Sequence, residues 1–118
     1  MVVFYRKEEI MFKVDFEFRK GILFVRLKGS LTKETYLKNK RILVDTIDSI
    51  GCNYIALNID GLTSIDIYGI NYISNFYNLI SNNSGRLVIC DKKENISKRL
   101  LNNKIPCVVN ELDLFKVI

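Results

Sequence analysis

Phe12, Val14, Phe16 and Phe18 alternate with Lys13, Asp15, Glu17 and Arg19, and a period of two is that of a strand with one buried face. Lys20-Gly21 interrupts the alternation with a residue free to take positive φ, and Ile22-Leu23-Phe24-Val25-Arg26-Leu27 follows as a second strand. Together they predict a hairpin. Gly29-Ser30-Leu31-Thr32 then reads as a turn that breaks the strand, with Thr32 as the N-cap of a helix carrying Glu34 in its first turn. From Tyr36 the apolar positions Leu37, Leu43, Val44, Ile47 and Ile50 recur at helical spacing, and Gly51 is a suitable C-terminal stop.

Tyr54-Ile55-Ala56-Leu57-Asn58-Ile59 is the more continuously apolar kind of strand found inside a covered sheet. A polar-studded connection, Asp60 to Asp66, leads to a second helix with Ile67, Ile70, Ile73, Phe76, Tyr77 and Ile80 at helical spacing. Asp66 stands where an N-cap carboxylate meets free backbone amides and the helix dipole. Ser81 to Gly85 forms a loop, Arg86 to Cys90 a further strand, and Asn95 to Leu101 a short helix. Pro106 opens a last strand, Cys107-Val108-Val109, where its missing N–H is tolerated, and Asn110 caps a brief final helix through Leu114, Phe115 and Val117. The order β-β-α-β-α-β-α-β-α is that of one α/β domain, a mixed sheet with helices packed on it through right-handed crossovers. Its core is expected to bury Leu43, Ile47, Leu57, Ile59, Ile70, Ile73, Phe76, Val88 and Ile89.

At 118 residues the chain has room for one domain. Residues 1–11 form an N-terminal extension and 12–118 the domain. Val2 to Tyr5 are left as an edge strand, a cover for an apolar patch or a dimer contact, and a homo-oligomer stays open. The apolar run comes before Arg6 and Lys7, the reverse of an export signal, and no run reaches the roughly 20 residues that span a bilayer. A cytoplasmic protein without direct membrane insertion is expected. The net charge of +5 is scattered among acids, so no specific nucleic-acid partner is expected.

Candidate chemistry is sparse. The chain has no histidine, which removes the commonest acid–base residue working near neutral pH and any Ser-His-Asp arrangement. Cys52, Cys90 and Cys107 are widely spaced and lack histidine partners, so no metal site is expected; Cys90 and Cys107 close strand-like runs as small buried hydrophobes. The six glycines are isolated, which excludes a GxGxxG or P-loop cradle, and no cofactor is implied. Asp60 and Asp66 flank one loop, but two acids six positions apart are commonplace. The chain is therefore not read as an enzyme.

The stretch from Leu57 to Ile70 resembles the signature of STAS domains, the anti-sigma-factor antagonists and their relatives. In that family a strand passes through a short loop to Asp-x-Ser/Thr-Gly-Leu opening a helix; here it is Asp66-Ile67-Tyr68-Gly69-Ile70. Gly29-Ser30-Leu31-Thr32 lies where the family often has a Gly-Glu-Leu/Ile-Asp turn. Two departures matter. The serine or threonine that a partner kinase phosphorylates in the sigma-factor branch is replaced by Tyr68, and the earlier acid by Thr32. A kinase site shaped for a short hydroxyl does not accept a phenol reaching several ångströms further, so Tyr68 is not expected to be phosphorylated.

The resemblance implies a non-catalytic, protein-binding regulatory domain whose partner is a kinase-like anti-sigma factor. The expected contact residues are Gly29, Ser30, Thr32, Thr63, Ser64, Asp66, Tyr68, Gly69 and Tyr72. Tyr68 is left either folded onto neighbouring surface or exposed as an aromatic anchor. Three other uses stay open: a subunit of a signalling assembly, a STAS subunit of a membrane transporter, or a small-molecule or anion binder using the second helix's N-terminus.

Overall fold

The computed structural model describes residues 11–39, 41–42, 44–45, 48, 51, 53–92 and 105–117. The elements in chain order are β1 (Phe12–Arg19), β2 (Ile22–Leu31), α1 (Lys33–Asn39), β3 (Tyr54–Ile65), α2 (Ile67–Asn82), β4 (Arg86–Cys90) and β5 (Cys107–Val108). A 3₁₀ turn (Glu111–Asp113) and α3 (Leu114–Val117) complete them. Residues 1–10 of the expected extension over residues 1–11, the helix at Asn95 to Leu101, Leu43, Ile47, Ile50 and Cys52, and the side chain of Leu37 lie outside what is described.

The sheet follows chain order, β1-β2-β3-β4-β5. β1 is antiparallel to β2, and the remaining pairs are parallel. The hairpin turns on Lys20 and Gly21, whose φ values of 51° and 82° are both positive, as the two-residue turn that matches strand twist requires. On one face Leu23, Val25, Leu27, Ile55, Leu57, Ile59, Leu87 and Ile89 pack against Ile70, Ile73, Phe76 and Ile80 of α2. On the other, Ile22, Phe24, Ala56, Val88 and Cys90 pack under Leu114 of α3. Both faces of β2, β3 and β4 are thus covered, which is why those strands are apolar without alternation.

The expected core residues that are described, Leu57, Ile59, Ile70, Ile73, Phe76, Val88 and Ile89, are all buried. Two boundaries differ from expectation. β2 continues to Leu31 and β3 to Ile65, so Gly29–Thr32 is not a strand-breaking turn and Thr63 and Ser64 are not loop residues. Pairing survives because the register slips between Arg26 and Lys28 and again between Gly29 and Ser30, each time placing an extra β3 residue against β2. Gly29 serves the second slip: its φ is 90°, and a Cβ there would lie 2.0 Å from the Met11 carbonyl oxygen. A third correction concerns Cys107. It is exposed, because β5 is a two-residue edge strand, whereas Cys90 is buried as expected.

Outside α3 the second sheet face is charged. Lys13, Asp15, Glu17 and Arg19 project to the side opposite α1 and α2 and meet Arg26 and Lys28 of β2. Lys28 Nζ lies 3.0 Å from Asp15 Oδ2 and Arg26 Nη1 lies 2.8 Å from Glu17 Oε1. The hydrogen bond from Lys28 holds the Asp15 carboxyl below its usual range.

Candidate functional site

Two parallel strands end side by side, β2 at Leu31 and β3 at Ile65, and each passes directly into a helix. The first turn of a helix leaves backbone N–H groups without intrahelical acceptors, so two sets of such donors converge at one end of the sheet. Asp66 serves both. Its Oδ1 accepts from Gly69 N at 3.0 Å, the N-cap bond of α2, and its Oδ2 accepts from Lys33 N at 2.9 Å, the first residue of α1. Thr32 is the residue before α1, and its carbonyl accepts from Tyr36 N. The side chain that satisfies its own N–H is Thr35, whose Oγ1 accepts at 3.0 Å, as the third helical residue does in a capping box.

The two helix starts are held close by the absence of a side chain at Gly69. A Cβ there would sit 2.2 Å from the Leu31 carbonyl oxygen and 2.7 Å from Ile65 Cγ1. Hydroxyls tie the strand ends to each other and to α1: Ser64 Oγ donates to Ser30 Oγ at 2.7 Å, and Thr35 Oγ1 donates to the Ser30 carbonyl at 2.8 Å. Beyond this base stand Ile67 and Tyr68, 55% and 44% exposed. Lys33 Nζ lies 5.4 Å from the centroid of the Tyr68 ring, a cation–π distance. Adjacent exposed apolar side chains rimmed by polar groups are compatible with a protein contact.

The expected contact residues separate into layers. Tyr68, Thr63 and Ser64 are exposed, Thr32 and Asp66 half-buried, and Ser30 and Gly69 buried beneath them. Tyr72 is turned inward, 8% exposed and edge-on to Tyr36 with ring centroids 5.3 Å apart, so it backs the surface instead of forming it. Ile67, expected to take part in the buried stripe of its helix, belongs to the surface. At the start of α2 the Gly69 amide is taken by the Asp66 carboxylate, whose charge disfavours an anion beside it.

One cluster was not anticipated. Glu111 accepts from Arg26 Nε at 2.8 Å and Nη2 at 2.7 Å, and from Asn58 Nδ2 at 2.8 Å. These hydrogen bonds, Arg26 first, hold the Glu111 carboxyl below its usual range, and those that Arg26 donates to Glu111 and Glu17 hold its guanidinium above its own. The only trace of the cluster in the sequence is a polar residue, Arg26 or Asn58, inside each of two apolar strand runs. It fastens the C-terminal turn across β2 and β3. At the far end of α2 a cleft of about 380 Å³ is lined by Phe76, Leu79, Ile80 and Asn83 with Val44, Asp48 and Asn53. Among the described residues no group of three His, Cys, Asp or Glu is arranged to hold a metal, and no helix is long and apolar enough to cross a membrane.

Comparison with known proteins agrees with this architecture. An anti-sigma F factor antagonist of Paenibacillus polymyxa is 29% identical over 79 residues, 67% of this chain and 68% of the relative. Among solved structures, a putative anti-sigma factor antagonist from Thermotoga maritima superposes with a TM-score of 0.73 at 16% identity, covering 89% of this chain and 93% of the other. The Bacillus cell fate determinant SpoIIAA in its phosphorylated form gives 0.63 at 14% identity, covering 92% of this chain and 100% of the other. At those identities the structures show the fold. The sequence profile of the STAS domain matches residues 13–113, nearly the whole of the sheet and its helices. This chain belongs to the STAS domain family.

Proposed function

We infer that this chain is a non-catalytic binding domain that acts in the cytoplasm as an antagonist of a kinase-like anti-sigma factor, competing for that partner with a sigma factor. The observation that carries the reading is the exposed pair Ile67 and Tyr68, mounted on a base that one carboxylate, one glycine and a hydroxyl pair make rigid. Lys33, Thr32, Thr63 and Ser64 form its polar rim, and Gly29, Ser30 and Gly69 shape it from beneath. The Paenibacillus polymyxa relative, named as an anti-sigma F factor antagonist, supports the partner class.

The resemblance sets Tyr68 where the family carries its phosphorylated hydroxyl, and a SpoIIAA structure in the phosphorylated form shows that a protein of this fold carries such a group. A phosphate there works by adding about −1.5 to −2 charges to an interface, which imposes repulsion and desolvation. A phenol in its place leaves the serine-kinase switch without a substrate. The domain is then competent to bind at all times.

Calorimetric titration of the kinase-like anti-sigma factor from the same organism tests this. Tyr68→Glu places a charge on the surface and keeps Asp66 itself, with its cap on the Gly69 amide of α2. Its affinity is expected to fall by about 2–5 kcal/mol, or roughly 30-fold to several thousandfold, while thermal melts show an intact fold. Unchanged affinity would move the docking surface elsewhere and remove the antagonist reading.

A further inference from the structure

A charge placed on the first turn of α2 has to act on α1 as well, because the two helix starts share one carboxylate. Asp66 is 33 positions from Lys33 in the chain, yet its Oδ2 accepts from the Lys33 amide at 2.9 Å while Oδ1 accepts from the Gly69 amide at 3.0 Å. The Asp66 backbone joins the same unit: its N–H points at the Leu31 carbonyl at 3.4 Å, and its own carbonyl accepts from Ile70 N at 3.0 Å. Gly69 stands against the Leu31 carbonyl and Ile65 with no space for a methyl group, so the first turn of α2 cannot move towards β2. Lys33 closes the ring from the other side, its ammonium over the Tyr68 ring at 5.4 Å.

We propose that Asp66 is a positioning residue that couples α1 to α2, so that a charge at position 68 is transmitted to the first turn of α1 through this carboxylate. A carboxylate at 68 repels the Asp66 carboxylate two residues away and so loosens its bond to the Lys33 amide. Charge at this surface would therefore reshape both halves of the docking face. The coupling rests on the docking reading for its use, but not for its measurement, which needs no partner.

The experiment is amide hydrogen exchange by NMR on the full chain, in wild type, Tyr68→Glu, Asp66→Ser and the double variant. Serine is itself a good N-cap, so the Gly69 amide and α2 should stay protected in Asp66→Ser. The Lys33 amide loses its partner there, and its exchange should rise about tenfold, the shift expected for one charge-assisted hydrogen bond. Tyr68→Glu alone should also accelerate exchange at Lys33, and should add nothing further when Asp66 is already serine. That non-additivity separates coupling from general loosening. Equal and additive effects of Tyr68→Glu in both backgrounds, or no change at Lys33 in Asp66→Ser, would overturn the proposal. If Asp66→Ser does not fold, Asp66→Asn supplies the same cycle, since its single oxygen caps α2 and its amide nitrogen cannot accept from Lys33. Its outcomes are judged the same way. Loss of binding to Tyr68→Glu without any response at Lys33 would leave the docking reading intact and sink the coupling alone.

Discussion

Gly69 and Cys90 show how much of a residue's role depends on what surrounds it. In an ordinary helix, glycine to alanine gains up to about 1 kcal/mol through lower backbone entropy in the unfolded chain. At Gly69 the added Cβ would meet a backbone carbonyl at 2.2 Å, a group that cannot swing aside. Gly69→Ala is therefore expected to destabilise by about 2 kcal/mol or more, read as a lower midpoint in urea, and a stabilised variant would refute the close approach. Cys90 is buried, and desolvation, helped by nearby acids, pushes its thiol up to about 12. Since the thiolate is the nucleophile, a maleimide at pH 8 should modify exposed Cys107 and leave Cys90 untouched until the protein is denatured. Peptide mass spectrometry distinguishes the two, and rapid labelling of Cys90 would contradict its burial. The sequence pattern indicated the Asp66 cap and the buried Cys90, because both follow from local position. It could not indicate Lys33 as a second partner of Asp66, since nothing in local spacing brings residues 33 apart into contact.

The elements were legible where one period persisted and obscure where a bulge or a long-range pair took over. Alternation gave β1, an unbroken apolar run gave the middle of β2, β3 and β4, and a capped 3.6-residue repeat gave α2. The ends of β2 and β3 were hidden because Gly29, Gly61, Thr63 and Ser64 carry loop composition, while the two register slips that keep Ser30 opposite Ser64 leave no mark on hydrophobicity. Glu111 was hidden for a related reason: its partner Arg26 lies 85 positions away. The C-terminal turn is predicted to depend on that pair. Replacing Glu111 by alanine leaves a partly buried guanidinium without one of its carboxylates and should cost about 2 kcal/mol. The pH dependence has a definite sign. Glu111 titrates lower in the folded chain than its ordinary value of 4.5, because Arg26 and Asn58 donate to its charged form. The stability it contributes is complete above about pH 4.5 and is lost as the pH falls through the lowered folded value. Urea denaturation of wild type and Glu111→Gln at several pH values should show curves that are well separated at neutral pH and converge in acid. A constant gap down to pH 2 would mean that the ion pair does not contribute.

At the scale of the whole molecule, strand order and charge separate two kinds of partner by the salt dependence each would show. A sheet ordered β2-β3-β4 in sequence, joined by right-handed crossovers, places α1 and α2 on the same face and their N-termini at the same end, and so it gathers Lys33, Asp66, Ile67 and Tyr68. The net charge of +5 has no comparable concentration among the described residues. Lys13, Arg19, Arg26 and Lys28 are each within 4.0 Å of Asp15, Glu17 or Glu111 on the opposite sheet face. Polyanion binding that rests on scattered charge releases counterions and falls steeply with salt, whereas docking on Ile67 and Tyr68 rests on apolar area and is screened little. Titrations between about 50 and 200 mM salt should therefore weaken retention on random-sequence DNA by roughly tenfold or more. Affinity for the proposed anti-sigma factor partner should change by less than about threefold over the same range, since the proposed anchors Ile67 and Tyr68 carry no net charge. A partner affinity that tracked the DNA curve would mean that lysines and arginines dominate the contact, and Tyr68 would then be a bystander on a surface chosen by charge.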